Sequence, residues 1–149
     1  MRNRTATWVN FVFASIVVIG VVFQVYFIAS YFTGAGEGAL DAHAFTGGVI
    51  VHGSELIVLI SGLVAFWGAW KLVGMSALLF VFGTVQIFLS PPDDDPASGW
   101  VHGLHGLFAL FVALLAAWIA YRDAQLLGLR RARDVEMTSP AAPPPAPPP

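Results

Sequence analysis

Four histidines carry most of the chemistry this chain offers: His43, His52, His102 and His105. A neutral imidazole is a common axial ligand of haem iron and also suits zinc and copper. The chain has no Cys, so disulfides, thiolate metal sites and iron–sulfur clusters are excluded. No HExxH motif, phosphate-cradling glycine loop or nucleophile–base pair is present, which leaves no hydrolase or transferase signature of its own. Any reaction would be carried by a cofactor. His43 and His102 each stand four residues before a glycine, Gly47 and Gly106. At that spacing the glycine lies on the same helical face and removes bulk beside the imidazole. Gln24 and Gln86 precede these motifs in equivalent places, each in a short apolar run followed by an acidic turn. The chain thus reads as two related halves, with His43 matched to His102.

The elements that must position these residues are membrane helices. The chain has 149 residues, of which 57% are hydrophobic and 11% charged, with a mean hydropathy of +0.75. A soluble domain carries about 25% charged residues, so a water-soluble enzyme is not the expected class. The net charge of −2 and the lack of a basic stripe argue against a nucleic-acid partner. A spanning helix takes about 20 mostly apolar residues, and four stretches qualify, at about 8–32, 42–67, 72–89 and 99–121. The expected fold is an all-α integral membrane four-helix bundle of two pseudo-repeated hairpins, occupying residues 1–133. A disordered Pro-rich tail is expected at 134–149. Asp41 and Ser98 are the expected N-caps of the second and fourth helices.

All seven basic residues, Arg2, Arg4, Lys71, Arg122, Arg130, Arg131 and Arg133, fall on one side of this arrangement. By the positive-inside rule both termini are cytoplasmic. The connections carrying Glu37 with Asp41 and Asp93 to Asp95 then face outward. The lipid bilayer is the expected surroundings, with a membrane-protein partner or a homo-oligomer as further expectations.

All four histidines lie toward the outer ends of the second and fourth helices, and Gln24, Gln86 and Glu55 come to similar depth. Polar groups in a span are costly and mark function. Several arrangements remain open. His43 and His102 would clamp a b-type haem across the axis between the halves, with Gln24 and Gln86 orienting the imidazoles and Gly47 and Gly106 leaving room. His52 and His105 form the alternative pair, matched by depth. A divalent ion would otherwise be held by His43 and His102, or alternatively by His52, Glu55 and His105, or the set handles protons. The bland alternative is that the histidines and glutamines only hydrogen-bond between helices in an accessory or structural subunit. His43 and His52 are nine residues apart, which on a regular helix turns them to opposite sides. Ala109, Ala113 and Ala117 recur at every fourth position as a candidate packing stripe. The inner half of the bundle is expected to hold almost nothing polar.

The motifs DAHAFTGG, VQIFLS and WVHGLHGLFAL resemble a group of small four-helix bacterial membrane proteins, frequent in actinobacteria, whose activity is not established. The resemblance covers roughly Phe23 to Arg122 and points to Asp41, His43, Gly47, Gln86 and His102. It implies a multi-pass protein of the bacterial cytoplasmic membrane and implies no reaction. More loosely, paired histidines on four helices are similar to cytochrome b-type proteins and haem A synthase, an analogy of fold alone.

Overall fold

The computed structural model describes residues 3–89 and 98–129. The Asp93–Asp95 turn, the side chain of Ser98, Arg2, Arg130, Arg131, Arg133 and the Pro-rich segment 134–149 lie outside the described residues. Helix α1 runs Arg4–Ser30 and passes into a π-helical segment, Tyr31–Ala35. Helix α2 runs Glu37–Phe45, a second π-helical segment Thr46–Val51 follows, and α3 continues the same rod over His52–Ala65. Helix α4 is Trp70–Phe88 and α5 is Ser98–Leu127. No strand occurs among the described residues.

The four rods, Arg4–Ala35, Glu37–Ala65, Trp70–Phe88 and Gly99–Leu127, are each long and apolar enough to cross a membrane. They pack in a ring: α1 against α3 and α5, and α4 against α3 and α5, so that α1 and α4 sit on one diagonal. The residue distribution is the reverse of a soluble protein's. Large apolar side chains such as Val22, Leu114 and Trp100 face outward, while Asn10, Glu55, Ser76 and Asp123 are fully buried. That pattern suits lipid, which competes for apolar contacts and leaves close packing and interhelical hydrogen bonds to hold helices together.

Between the first two rods the chain turns at Gly34 and Gly36, whose φ angles of 97° and 80° favour glycine. This tight turn lets the helix restart at Glu37, with an acidic residue in its first turn where the helix dipole favours it. Asp41 therefore lies inside α2, and Gly36 takes the N-cap position expected of Asp41. Gly68, with φ 86°, makes the short turn from α3 into α4.

Helix α5 continues six residues past the expected end at Tyr121. Arg122 does not stop it because its guanidinium is held within the bundle. Its Nε donates to Asp123 Oδ1 at 2.9 Å, and its charge lies 4.4 Å from the Phe66 ring centre. The packing face of α5 is Val112, Leu115, Ala116 and Ile119. Steps of four residues overshoot a full turn by about 40° each, so the alanine stripe rotates off this face. Ala109 and Ala113 pack against the core, but Ala117 is exposed.

Candidate functional site

A cavity of about 210 Å³ lies at the end of the bundle opposite Lys71, between all four rods. Gln24 of α1, His43 of α2, His52 and Glu55 of α3, Gln86 of α4 and His105 of α5 line it. Exposed residues in the lining, Ala44, Gly48 and Ile87, mark where it opens.

His43 and Gln24 bind each other twice. The Gln24 side-chain Nε2 donates to the His43 carbonyl at 2.7 Å, and His43 Nδ1 lies 3.1 Å from the Gln24 carbonyl oxygen. A carbonyl accepts only, so this ring carries a proton on Nδ1, and its neutral form leaves Nε2 as a lone-pair donor. Gly47 makes the pairing possible: a Cβ there would meet Gln24 Nε2 at 2.9 Å.

His105 repeats the arrangement in the second hairpin. Its Nδ1 lies 3.0 Å from the Gln86 carbonyl oxygen. The chain separation is 19 residues in both cases. The ring centres of His43 and His105 are 6.2 Å apart, with 52° between their planes. The residue brought opposite His43 is thus His105 rather than the expected His102. His102 is partly buried one turn away on α5 and is not part of the cavity lining. Gly106 is exposed and an added Cβ would meet nothing within 4 Å, so it makes no room beside an imidazole.

His52 also enters the cavity, although a regular helix would turn it away from His43. The reason is the π-helical segment Thr46–Val51 between them. Each residue of a π turn advances by roughly 80° instead of 100°, and six such steps bring the two histidines onto neighbouring faces. His52 Nδ1 lies 2.9 Å from Glu55 Oε2, and its ring stacks on Phe80 at 5.0 Å. Glu55 is completely buried, and Gly83 of α4 is the residue that admits its carboxyl group, which any side chain at 83 would overlap.

Sequence reasoning missed a second polar layer toward the Lys71 end. Asn10 Nδ2 donates to the Val58 carbonyl at 2.7 Å and to Ser61 Oγ at 2.9 Å. Ser76 is packed against Gly62 beside it. An Asn in the middle of an apolar run was the available signal, because such a side chain must find partners on other helices.

The donor set can be tested against the candidate ligands. Among the described residues no group of three His, Cys, Asp or Glu side chains could surround one ion. A zinc site takes three or four protein ligands, so a bare divalent ion has too few here. Two imidazoles suffice for a metal that arrives with its own ring of donors. Metal–nitrogen bonds of about 2 Å put the ring centres of two opposed imidazoles roughly 6 Å apart, close to the spacing of His43 and His105. The enclosed volume of about 210 Å³ lies below the roughly 300–1,000 Å³ of a typical ligand pocket, so the chamber would enclose only part of such a group.

The fold and cavity together define a four-rod helical bundle of membrane character with a histidine-lined chamber at one end. The chain matches no family model, no curated protein and no solved structure.

Proposed function

We propose that the chain is a multi-pass membrane protein that holds a b-type haem between His43 and His105 and serves one-electron transfer or haem handling. The observation that carries this reading is the matched orientation of the two imidazoles. Each has Nδ1 on a backbone carbonyl one helix away, which fixes the tautomer and ring direction in the manner usual for metal-bound histidines. Each leaves Nε2 for the iron. The equal separation of 19 residues supports two repeated hairpins, with His105 as the equivalent of His43. The ring packing, in which α1 lies diagonal to α4 and α3 to α5, is what a two-fold axis along the bundle requires.

A haem held there by His43 and His105 would supply one-electron chemistry. The chain's own residues supply the rest. Gln24 orients His43 by two bonds, and Gly47 keeps Gln24 close. His52 gives one oxygen of the buried Glu55 a hydrogen-bond partner. The grouping of Arg4, Lys71 and Arg122 toward one end supports, by the positive-inside rule, cytoplasmic termini and a histidine chamber at the outer face of a bacterial cytoplasmic membrane.

The test is the visible spectrum of the detergent-purified protein from haem-sufficient cells, oxidised and then reduced. The reading expects a sharp low-spin reduced spectrum with one haem per chain. A colourless preparation would contradict it and leave the interhelical hydrogen-bond role in an accessory subunit.

A further inference from the structure

Glu55 is a cavity group whose chemistry the haem reading does not use. It has no exposed surface, and its Oε1 has no hydrogen-bond partner among the described residues. An unpaired carboxylate oxygen among apolar helices is costly, and Gly83 gives up its own side chain to admit it. The group is therefore built to meet a positive ligand. A hard metal cation takes six to eight oxygens, as calcium does. Among the described residues Oε1 has no hydrogen-bonded partner to share that work. A proton needs one oxygen.

A route exists on one side only. His52 joins the carboxyl group to the chamber: its Nδ1 lies 2.9 Å from Oε2, its side chain is 24% exposed, and its stacking on Phe80 fixes the ring. The other titratable groups on that chamber are His43 from α2 and His105 from α5. Helices α1 and α4 contribute Gln24 and Gln86, which carry no charge. Toward the Lys71 end the path is shut. On α3 the fully buried Val58 separates Glu55 from Ser61, and on α4 the fully buried Leu79 separates Gly83 from Ser76. Val17 of α1 and Val112 of α5 close the same apolar core. The next polar groups, Asn10, Ser61 and Ser76, lie beyond it, and Arg122 and Asp123 beyond those.

We propose that Glu55 and His52 form a proton-binding site filled from the histidine-lined chamber and closed toward the Lys71 end. The site is a dead end for a proton and not a path through the bundle. It stands whatever His43 and His105 hold.

Dicyclohexylcarbodiimide tests it on the detergent-purified full chain, with no haem readout involved. The acid form of a carboxyl group adds across a C=N bond of the reagent and rearranges to a stable N-acylurea, with no atom lost. The expected result is one adduct, mapped by mass spectrometry to Glu55, that is absent in Glu55→Gln. Filling the chamber by Ala109→Phe, or at the open position by Gly48→Phe, slows labelling by about an order of magnitude. Gly48→Phe guards against a folding defect, since an added Cβ there meets nothing within 4 Å. Ser61→Ala and Ser76→Ala leave the rate unchanged. No adduct at Glu55 in the folded protein overturns the proposal. So does labelling that ignores both chamber-filling variants or that follows the two serine variants.

Discussion

His43 and His105 come from different hairpins, yet each turns Nδ1 onto the main-chain carbonyl of a glutamine 19 residues earlier, and their rings stand 6.2 Å apart. Neither bond depends on a side-chain acceptor. The ring orientation is thus set by where α1 meets α2 and where α4 meets α5, and the helix packing itself aims the two imidazoles.

Gly83 is the tightest point of that packing. A Cβ at this position would overlap the Glu55 carboxyl group. Gly83→Ala is expected to destabilise the bundle by about 1–3 kcal/mol, the usual cost of overpacking. Gly74, on the same helix, has nothing within 4 Å of an added Cβ. Gly74→Ala is expected to be neutral or to stabilise by up to about 1 kcal/mol. Thermal unfolding of both variants in the same detergent checks the contrast.

Asn10 ties α1 to α3 through two bonds from one carboxamide. Interhelical hydrogen bonds in membrane proteins are worth about 0.6–2 kcal/mol. Asn10→Leu is expected to lose an amount in that range. Ser61→Ala should lose less, because Ser61 Oγ spends its own proton on the Ile57 carbonyl at 2.6 Å and the Val58 carbonyl still receives Asn10. Unfolding titrations in mixed micelles with an anionic detergent measure both.

Much of the architecture was legible in the residues, because four apolar runs of the required length allow few alternatives. What was hidden traces to two local features. The phase of His52 relative to His43 depends on the π-helical segment Thr46–Val51, which hydrophobic periodicity does not encode. The match of His43 to His105 was masked by a nearer pattern: His102 precedes Gly106 as His43 precedes Gly47. The spacing from each glutamine, which fixes how far the chain travels through the turn and back, carries the structural equivalence instead. The end of α5 was hidden because Arg122 reads as a boundary charge, whereas Asp123 and the Phe66 ring keep it inside.

Arg122 and Asp123 are buried as a pair, with side chains 10% and 0% exposed. Removing one partner of such a pair costs about 3–5 kcal/mol, because the other is left charged and unmatched. Asp123→Ala is expected to fall in that range, and the double variant Arg122→Leu with Asp123→Leu to recover most of the loss. The order of midpoints in a thermal unfolding series decides this.

The chain's lack of cysteine makes its sidedness directly measurable. Single cysteines at the exposed positions Glu37 and Lys71 lie at opposite ends of the bundle. In intact spheroplasts an impermeant maleimide is expected to label Glu37→Cys at once and Lys71→Cys only after permeabilisation. Labelling in the reverse order would invert the topology.

If His43 and His105 together hold a haem, the reduced spectra of four single variants report it. Purified side by side, His43→Ala and His105→Ala are each expected to lose the low-spin reduced spectrum, while His102→Ala and His52→Ala keep it. Loss in His102→Ala with retention in His105→Ala would contradict the assignment.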